Sequence, residues 1–179
     1  LTSRQDIQIH DVEIQNTVKI MDHLLEFELS PRGGGGNTVR NVIACPLSGI
    51  CKDEVFEVRG HAIAVSEYLL GQESSFNLPR KFKLSFSGCG KDCAGALLND
   101  LGFVAQIKDG KKSFKVFVGG GMGAASRIGR LLEEGILLEE LGYTAQAVKK
   151  VYHKKGDRRN KHHNRLRFLI EDIGFDEFK

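Results

Sequence analysis

Apolar and polar positions change their spacing several times along the chain, and each change marks an element. Gln5–His10 alternates polar and apolar residues, which predicts a strand. A helix is predicted over Thr17–Glu28, followed by the loop Pro31-Arg32-Gly33-Gly34-Gly35-Gly36-Asn37. Val39–Ala44 reads as a strand that runs into Cys45. Asp53 is placed to N-cap a helix through Leu70, with Val55, Val58, Ala62, Val65 and Leu69 at helical spacing and Gly71 at its end. Lys81–Phe86 alternates strictly: Phe82, Leu84 and Phe86 share one face, Lys81, Lys83 and Ser85 the other. A short helix is expected near Cys93. Phe103–Ile107 and Phe114–Val118 flank Asp109-Gly110, a hairpin signal. Gly119–Gly123 ends the second of these strands, and Ser126 is expected to cap a helix carrying Ile128, Leu131 and Leu132. Two more helices are predicted over Thr144–His153 and His162–Ile173, with Gly142 and Gly174 as stops. Strands and helices are mixed, and no internal repeat is visible.

Composition changes this picture little. The 179 residues suffice for one domain with a core, and 41% hydrophobic with 27% charged residues is a globular balance. No apolar run approaches the roughly 20 residues that span a bilayer, and no secretory segment opens the chain, so a cytoplasmic protein is expected. The chain begins at Leu1, and a fragment of a longer protein is expected. A net charge of +3 does not call for nucleic acid. The segment 149–167 holds nine Lys or Arg against Asp157 alone, which fits a solvated helix, a surface near an acidic group or protein, or an RNA-binding helix pair. His153, His162 and His163 in that segment are expected on helix surfaces rather than on a metal.

The four cysteines carry the chemistry. Their spacing is Cys45-x5-Cys51, then 37 residues, then Cys89-x3-Cys93. An even count admits two disulfides, but nothing else suggests an oxidising compartment. Structural zinc sites favour closer knuckles than the first pair offers. Four thiolates match the ligand count of one cubane iron–sulfur cluster. Gly49, Gly88 and Gly90 let the backbone approach sulfur closely. Separately, Gly119-x-Gly121-x-x-Ala124 admits a dinucleotide-binding loop, provided that a helix follows it.

The stretch Ser87-Gly88-Cys89-Gly90-Lys91-Asp92-Cys93, six residues, then Asp100-Leu101-Gly102-Phe103 resembles the iron–sulfur/siroheme signature of sulfite and nitrite reductases. Leu1–His10 resembles the strand leaving the small ferredoxin-like subdomain of that family, and Gly36–Asn41 its second arginine motif. Leu78–Lys83 resembles its paired-lysine strand, Val118–Met122 its glycine-rich strand end, and Gly156–Phe178 the helix closing one repeat. The resemblance implies an α+β fold, a mixed sheet flanked by helices. It implies the end of the ferredoxin-like ("parachute") subdomain over 1–32, a siroheme/[4Fe-4S] domain over 33–148 and a closing basic helical segment over 149–179.

By the same resemblance, Cys45, Cys51, Cys89 and Cys93 bind a [4Fe-4S] cluster, and Cys93 also bridges to the siroheme iron. Arg4, Arg40, Lys81 and Lys83 match the cations that bind the substrate anion; arginine offers two parallel donors and lysine a mobile proton. Gly119, Gly120 and Gly121, with amides at an expected helix start, are candidates for siroheme carboxylates. Arg127 and Arg130, nearby, are further candidates for those carboxylates, without a motif match. The implied activity is six-electron reduction of sulfite to sulfide, with nitrite reduction to ammonia as the alternative; a non-catalytic iron–sulfur electron-transfer subunit and a zinc-stabilised nucleic-acid module are further readings. Lys83 stands where nitrite-specialised members often carry asparagine, which favours sulfite, and Lys91 replaces a frequent asparagine. Expected partners are sulfite or nitrite, a ferredoxin or reductase subunit as electron donor, and a second repeat or second copy of the chain, because two-repeat members usually divide the cations and cysteines between repeats. Neither nucleic acid nor membrane is expected as a partner.

Overall fold

The structure, a computed structural model, describes residues 1–123 and 125–179. Five strands form one sheet in the order β1-β2-β3-β4-β5: Ile43–Ala44, Leu84–Ser87, Leu101–Lys108, Lys111–Val118 and Arg130–Leu137. β1, β2 and β3 run parallel, while β4 and β5 join antiparallel. The helices are α1 Thr17–Leu25, α2 Arg59–Leu70, α3 Leu141–Lys155, α4 Leu166–Ile173 and the single turn α5 Phe175–Phe178. This is the expected α+β class.

One face of the sheet meets the helices. Phe82, Leu84 and Phe86 are fully buried, as their alternation requires, and Phe86 stacks on Phe103 with ring centroids 4.4 Å apart. Phe114 meets Phe56, Phe86 and Phe103 edge-on. α2 contributes Ala62, Val65 and Leu69, and α3 contributes Leu141, Ala145, Val148 and Tyr152, each set a stripe at helical spacing. On the other face the segment 94–99 lies flat against β3. A Cβ on Gly102 would stand 2.0 Å from the Ala96 carbonyl, so only glycine fits there.

Asp109 and Gly110 both adopt left-handed φ, 50° and 74°, and close the β3–β4 hairpin with all eight residues of each strand in register. Several predicted elements come out differently. Gln5–His10 is not a strand: Gln5 has φ 56°, and its side chain exchanges hydrogen bonds with the Ala44 backbone, covering the β1 edge. α2 begins at Arg59, with Val58 rather than Asp53 at its N-cap. The predicted helix after Ser126 is strand β5, because its apolar residues gain backbone partners along β4. Gly142 lies inside α3 rather than stopping a helix. The segment near Cys93 makes only a 3₁₀ turn over Ala96–Leu98, and the last long helix starts at Leu166 rather than His162. α1 buries none of its residues.

Candidate cluster and anion site

The three parallel strands give the sheet two chemically distinct ends. Arg40, Lys81, Lys83 and Asp100 sit before or at the strand starts, whereas Cys45 and Cys89 follow the ends of β1 and β2. The alternation that buries Phe82 and Leu84 turns Lys81 and Lys83 together to the opposite side.

At the first end, four predicted cations converge. Arg4 donates from Nη1 to Asn99 Oδ1 at 2.9 Å, and from Nη2 to the carbonyls of Asn41 at 2.6 Å and Leu84 at 3.1 Å. Its fork is therefore held by protein acceptors, and Arg4 serves as a strut and a source of positive field. Burial first, with Arg40 and Arg165 adding repulsion, pulls its pKa down to about 10 against the pull of Asp100 and Asp6. Arg40 donates to the Gly34 carbonyl of the glycine loop. Burial is also the main cause that lowers Lys83 to about 8, helped by Arg4, Lys81 and Arg165. Lys81 shifts down for the same reasons, with Arg165, Arg40 and Arg80 as its repelling neighbours. Arg40 acts on Arg4 and Lys81, and Arg4 and Lys81 act on Lys83, so Arg4, Arg40, Lys81 and Lys83 form one cationic cluster drawn from segments distant in sequence.

Two arginines from the basic C-terminal segment complete this end, and the sequence pattern did not single them out. Asp100 is fully buried and accepts both contacts from Arg165 Nη2, at 3.0 and 2.8 Å, plus the Lys83 amide at 2.9 Å. Arg167 is 7% exposed and lies beside Arg165. The only early hint was their density in a run that otherwise reads as solvated. Asp100, known from the signature alone, is an acid that acts on both Lys81 and Lys83.

The glycine-rich strand end behaves differently from its prediction. The Gly119 amide donates to the Asp100 carbonyl at 2.9 Å and the Gly121 amide to Arg127 at 2.9 Å, so these two amides are spoken for. Gly120 packs against the Leu97 carbonyl, 2.3 Å from where a Cβ would stand. β5 follows instead of a helix, which removes the helix-start anion site and the support for the nucleotide loop; Ala124, the last residue of that pattern, lies outside the described residues. Arg127 pairs with Glu171 at 2.6 Å, and Arg130 lies over the Phe175 ring, 3.8 Å from its centroid.

At the second end all four cysteines are free thiols. Cys45 and Cys89 are buried, Cys51 half-buried and Cys93 exposed. Burial pushes the Cys45 thiol up, as do Cys93, Cys89 and Cys51, against a hydrogen bond from the Leu47 backbone. All three other thiols thus lie close enough to act on Cys45. The two loops that carry them are tied together. Lys91, between Cys89 and Cys93, pairs with Asp53, just past Cys51. Glu54 accepts from Ser48 Oγ and the Gly49 amide, both at 2.6 Å, and fills the space where a Gly88 Cβ would sit. Asp92, at φ 53°, accepts from Ser87 Oγ at 2.5 Å and from the amides of Ala96 and Leu97 at 2.6 and 3.0 Å. Among the described residues, no three His, Cys, Asp or Glu side chains gather as they would around one metal ion. Four neighbouring thiols with a backbone amide on one sulfur fit a multi-iron cluster, which spreads its ligands around a larger body.

A family model described as the nitrite and sulphite reductase 4Fe-4S domain matches residues 35–179. The chain belongs to this family. Membership implies a [4Fe-4S] cluster and a siroheme as its cofactors, and the thiol end and the cationic end are two sites chemically suited to them. An assimilatory ferredoxin-dependent nitrite reductase of Haloferax mediterranei is 32% identical over the whole chain, which spans 32% of that protein. A sulfite reductase [ferredoxin] of Mycolicibacterium paratuberculosis is 28% identical over the whole chain, again across 32% of its length. The solved NirA protein of Mycobacterium tuberculosis superposes with a TM-score of 0.91 at 29% identity, covering 99% of this chain and 32% of NirA. Dissimilatory sulfite reductase I shares the fold, with a TM-score of 0.80 at 12% identity over 93% of this chain and 57% of the other. The nitrite/sulfite reductase domain described here thus spans about a third of the curated relatives it matches. No helix among the described residues is long and apolar enough to cross a membrane.

Proposed function

We propose that this domain contributes to reduction of sulfite to sulfide at a siroheme coupled to a [4Fe-4S] cluster. When bound, the cofactor pair would supply electrons, one at a time, for reduction of the anion. The residues of this chain hold and protonate that anion. The observation that carries the reading is the gathering of Arg4, Arg40, Lys81 and Lys83 from three separate segments around one buried acid. Such a surplus of positive charge fits a dianion with oxygens to lose. Lys83, with its proton loosened to about pH 8, is the residue placed to give a proton to a departing oxygen. Cys45, Cys51, Cys89 and Cys93 would hold the cluster, with Cys93, the most exposed of them, as its link to the siroheme.

Nitrite is the second reading, favoured by the nitrite reductases among the similar proteins. The Lys83→Asn variant separates the two: kcat/KM for sulfite is expected to fall more than that for nitrite, and equal losses would refute sulfite preference. An anaerobic absorption spectrum with iron and acid-labile sulfide assays tests the cofactors. Tetrapyrrole bands with about four irons beyond the siroheme iron are expected, whereas zinc alone would sink the reading. A cluster without tetrapyrrole would instead leave an electron-transfer subunit. Ferredoxin, the donor named for the relatives, is the proposed electron source. A complete centre also needs a second repeat or a second copy of the chain, because cations and thiols occupy opposite ends of the sheet.

A further inference from the structure

Arg167 stands apart from the other cations at the anion end because it is buried while they are partly exposed. Arg165 is paired with Asp100 and Arg127 with Glu171, but Arg167 pairs with no acid among the described residues. It is 93% buried by its 7% exposure, and its Nε and Nη1 are enclosed without any hydrogen-bond partner. The Phe168 ring lies 4.7 Å from the guanidinium and offers it an aromatic face, which is far short of the hydrogen bonds a guanidinium requires. Charges are almost never left this way in a folded interior, because an unpaired buried donor is costly and an unpaired buried charge more so. Burial disfavours its charged form and Arg165 and Arg127 repel it; Asp100 and Glu171 attract it, but each is already paired, with Arg165 and Arg127 respectively.

The backbone around it is cut to fit. A Cβ on Gly121 would stand 2.5 Å from Arg167 Nη1, so the guanidinium occupies the space that a side chain there would take. Arg165 Nη2 lies 3.9 Å from the same point, and through Arg165 and Asp100 this corner joins the cluster of Lys81 and Lys83. The missing partner therefore belongs to an anion that reaches this corner from the cationic face, and it takes a forked donor.

We propose that Arg167, seated against Gly121, anchors a carboxylate subsite that holds one peripheral carboxylate of the siroheme. The inference rests on the reading that this domain binds siroheme. It assigns a role to a residue outside the four substrate cations and outside the four thiols. The polyanionic rim of the tetrapyrrole supplies the acceptor, and two N–H groups of one guanidinium match the two oxygens of a carboxylate.

The test is anaerobic titration of apo-protein with siroheme, followed by absorbance, with far-UV circular dichroism as the check of folding. Arg167→Gln is expected to weaken siroheme binding about ten- to a hundredfold, the range for a lost charged hydrogen-bond pair. Its affinity should also depend less steeply on salt than that of the wild type, which a purely structural role would not produce. Gly121→Ala leaves every charge in place but drives a methyl group onto Nη1, and is expected to weaken binding in the same direction. If Arg167→Gln does not fold, Gly121→Ala alone decides. Folded variants that bind siroheme as tightly as the wild type would overturn the subsite while leaving the cofactor reading intact. A wild type that binds no siroheme would overturn both.

Discussion

Lys83 shows how a single position gathers its properties from several levels. Its place in a strictly alternating strand puts it beside Lys81, and its amide bonds to Asp100 at 2.9 Å. Burial and three neighbouring cations then lower its pKa from 10.5 to about 8. A lysine in that state carries a reactive free amine at mildly alkaline pH, whereas Lys91, paired with Asp53, has its pKa raised. Acylation of apo-protein at pH 8, read by peptide mass spectrometry, is therefore expected to modify Lys83 well before Lys91; the reverse order would contradict the assigned field. Lys149 makes a second case. It is fully buried in α3 and donates to Gln72 Oε1 at 2.8 Å, Ser74 Oγ at 3.0 Å and Ser75 Oγ at 2.8 Å, and it forms no ion pair among the described residues. Burial lowers it to about 8. The unfolded chain holds that proton up to its ordinary value near 10.5, so between about pH 8 and 10.5 the unfolded state binds more protons and folding stability rises with pH. The melting temperature of the wild type, measured relative to Lys149→Met, is accordingly expected to rise across that interval; a flat difference would show that Lys149 titrates normally.

Among the elements, those fixed by local chemistry were readable from the chain and those fixed by distant partners were not. The β3–β4 hairpin follows from Asp109-Gly110, because both residues tolerate left-handed φ and the flanking alternation sets the register. The paired lysines of the strand before β2 follow from the same period-2 pattern. β5 did not, since Ile128, Leu131 and Leu132 have helical spacing, and only the backbone groups of β4 make the strand preferable. Arg165 and Arg167 were hidden for a similar reason: a basic run looks solvated until a buried carboxylate 65 residues earlier turns part of it inward. The cysteine loops were legible as ligands but not as a scaffold. Asp92 supplies the scaffold by accepting three hydrogen bonds from a left-handed backbone that Asp and Asn tolerate better than alanine. Asp92→Ala is expected to cost about 1–3 kcal/mol of stability and to lower cluster content. Asp92→Asn should cost less, because it keeps an acceptor and the backbone preference. Calorimetry and iron analysis of the two variants check this ranking, and equal losses would place the cost elsewhere.

For the whole molecule, what matters is the direction of the strands. Parallel β1 and β2 carry the cations to one end and the thiols to the other, and Lys83 and Ser87 alone are four residues of extended chain apart, about 13 Å at the usual rise. The charges agree with this: Cys45 feels the other three thiols, whereas Lys81 and Lys83 feel Arg165, Asp100 and, respectively, Arg40 and Arg4. If, as proposed, the thiols hold the cluster and the cations hold the anion of one centre, that centre is expected to take its thiols from one unit and its cations from another. If the units are copies of this chain related by a twofold axis, each pair holds two equivalent centres. A chain with Cys93→Ser keeps its cations, and a chain with Lys81→Met and Lys83→Met keeps its thiols. Each variant alone should be inactive, yet in a mixed pair the cations of the first meet the thiols of the second and one of the two centres is whole. Random exchange makes half of the pairs mixed, so equimolar unfolding and reassembly is expected to return about a quarter of wild-type activity. Recovery near zero would mean that the second unit is a different repeat, and full activity in either variant by itself would mean that the two ends of the sheet do not serve a common centre.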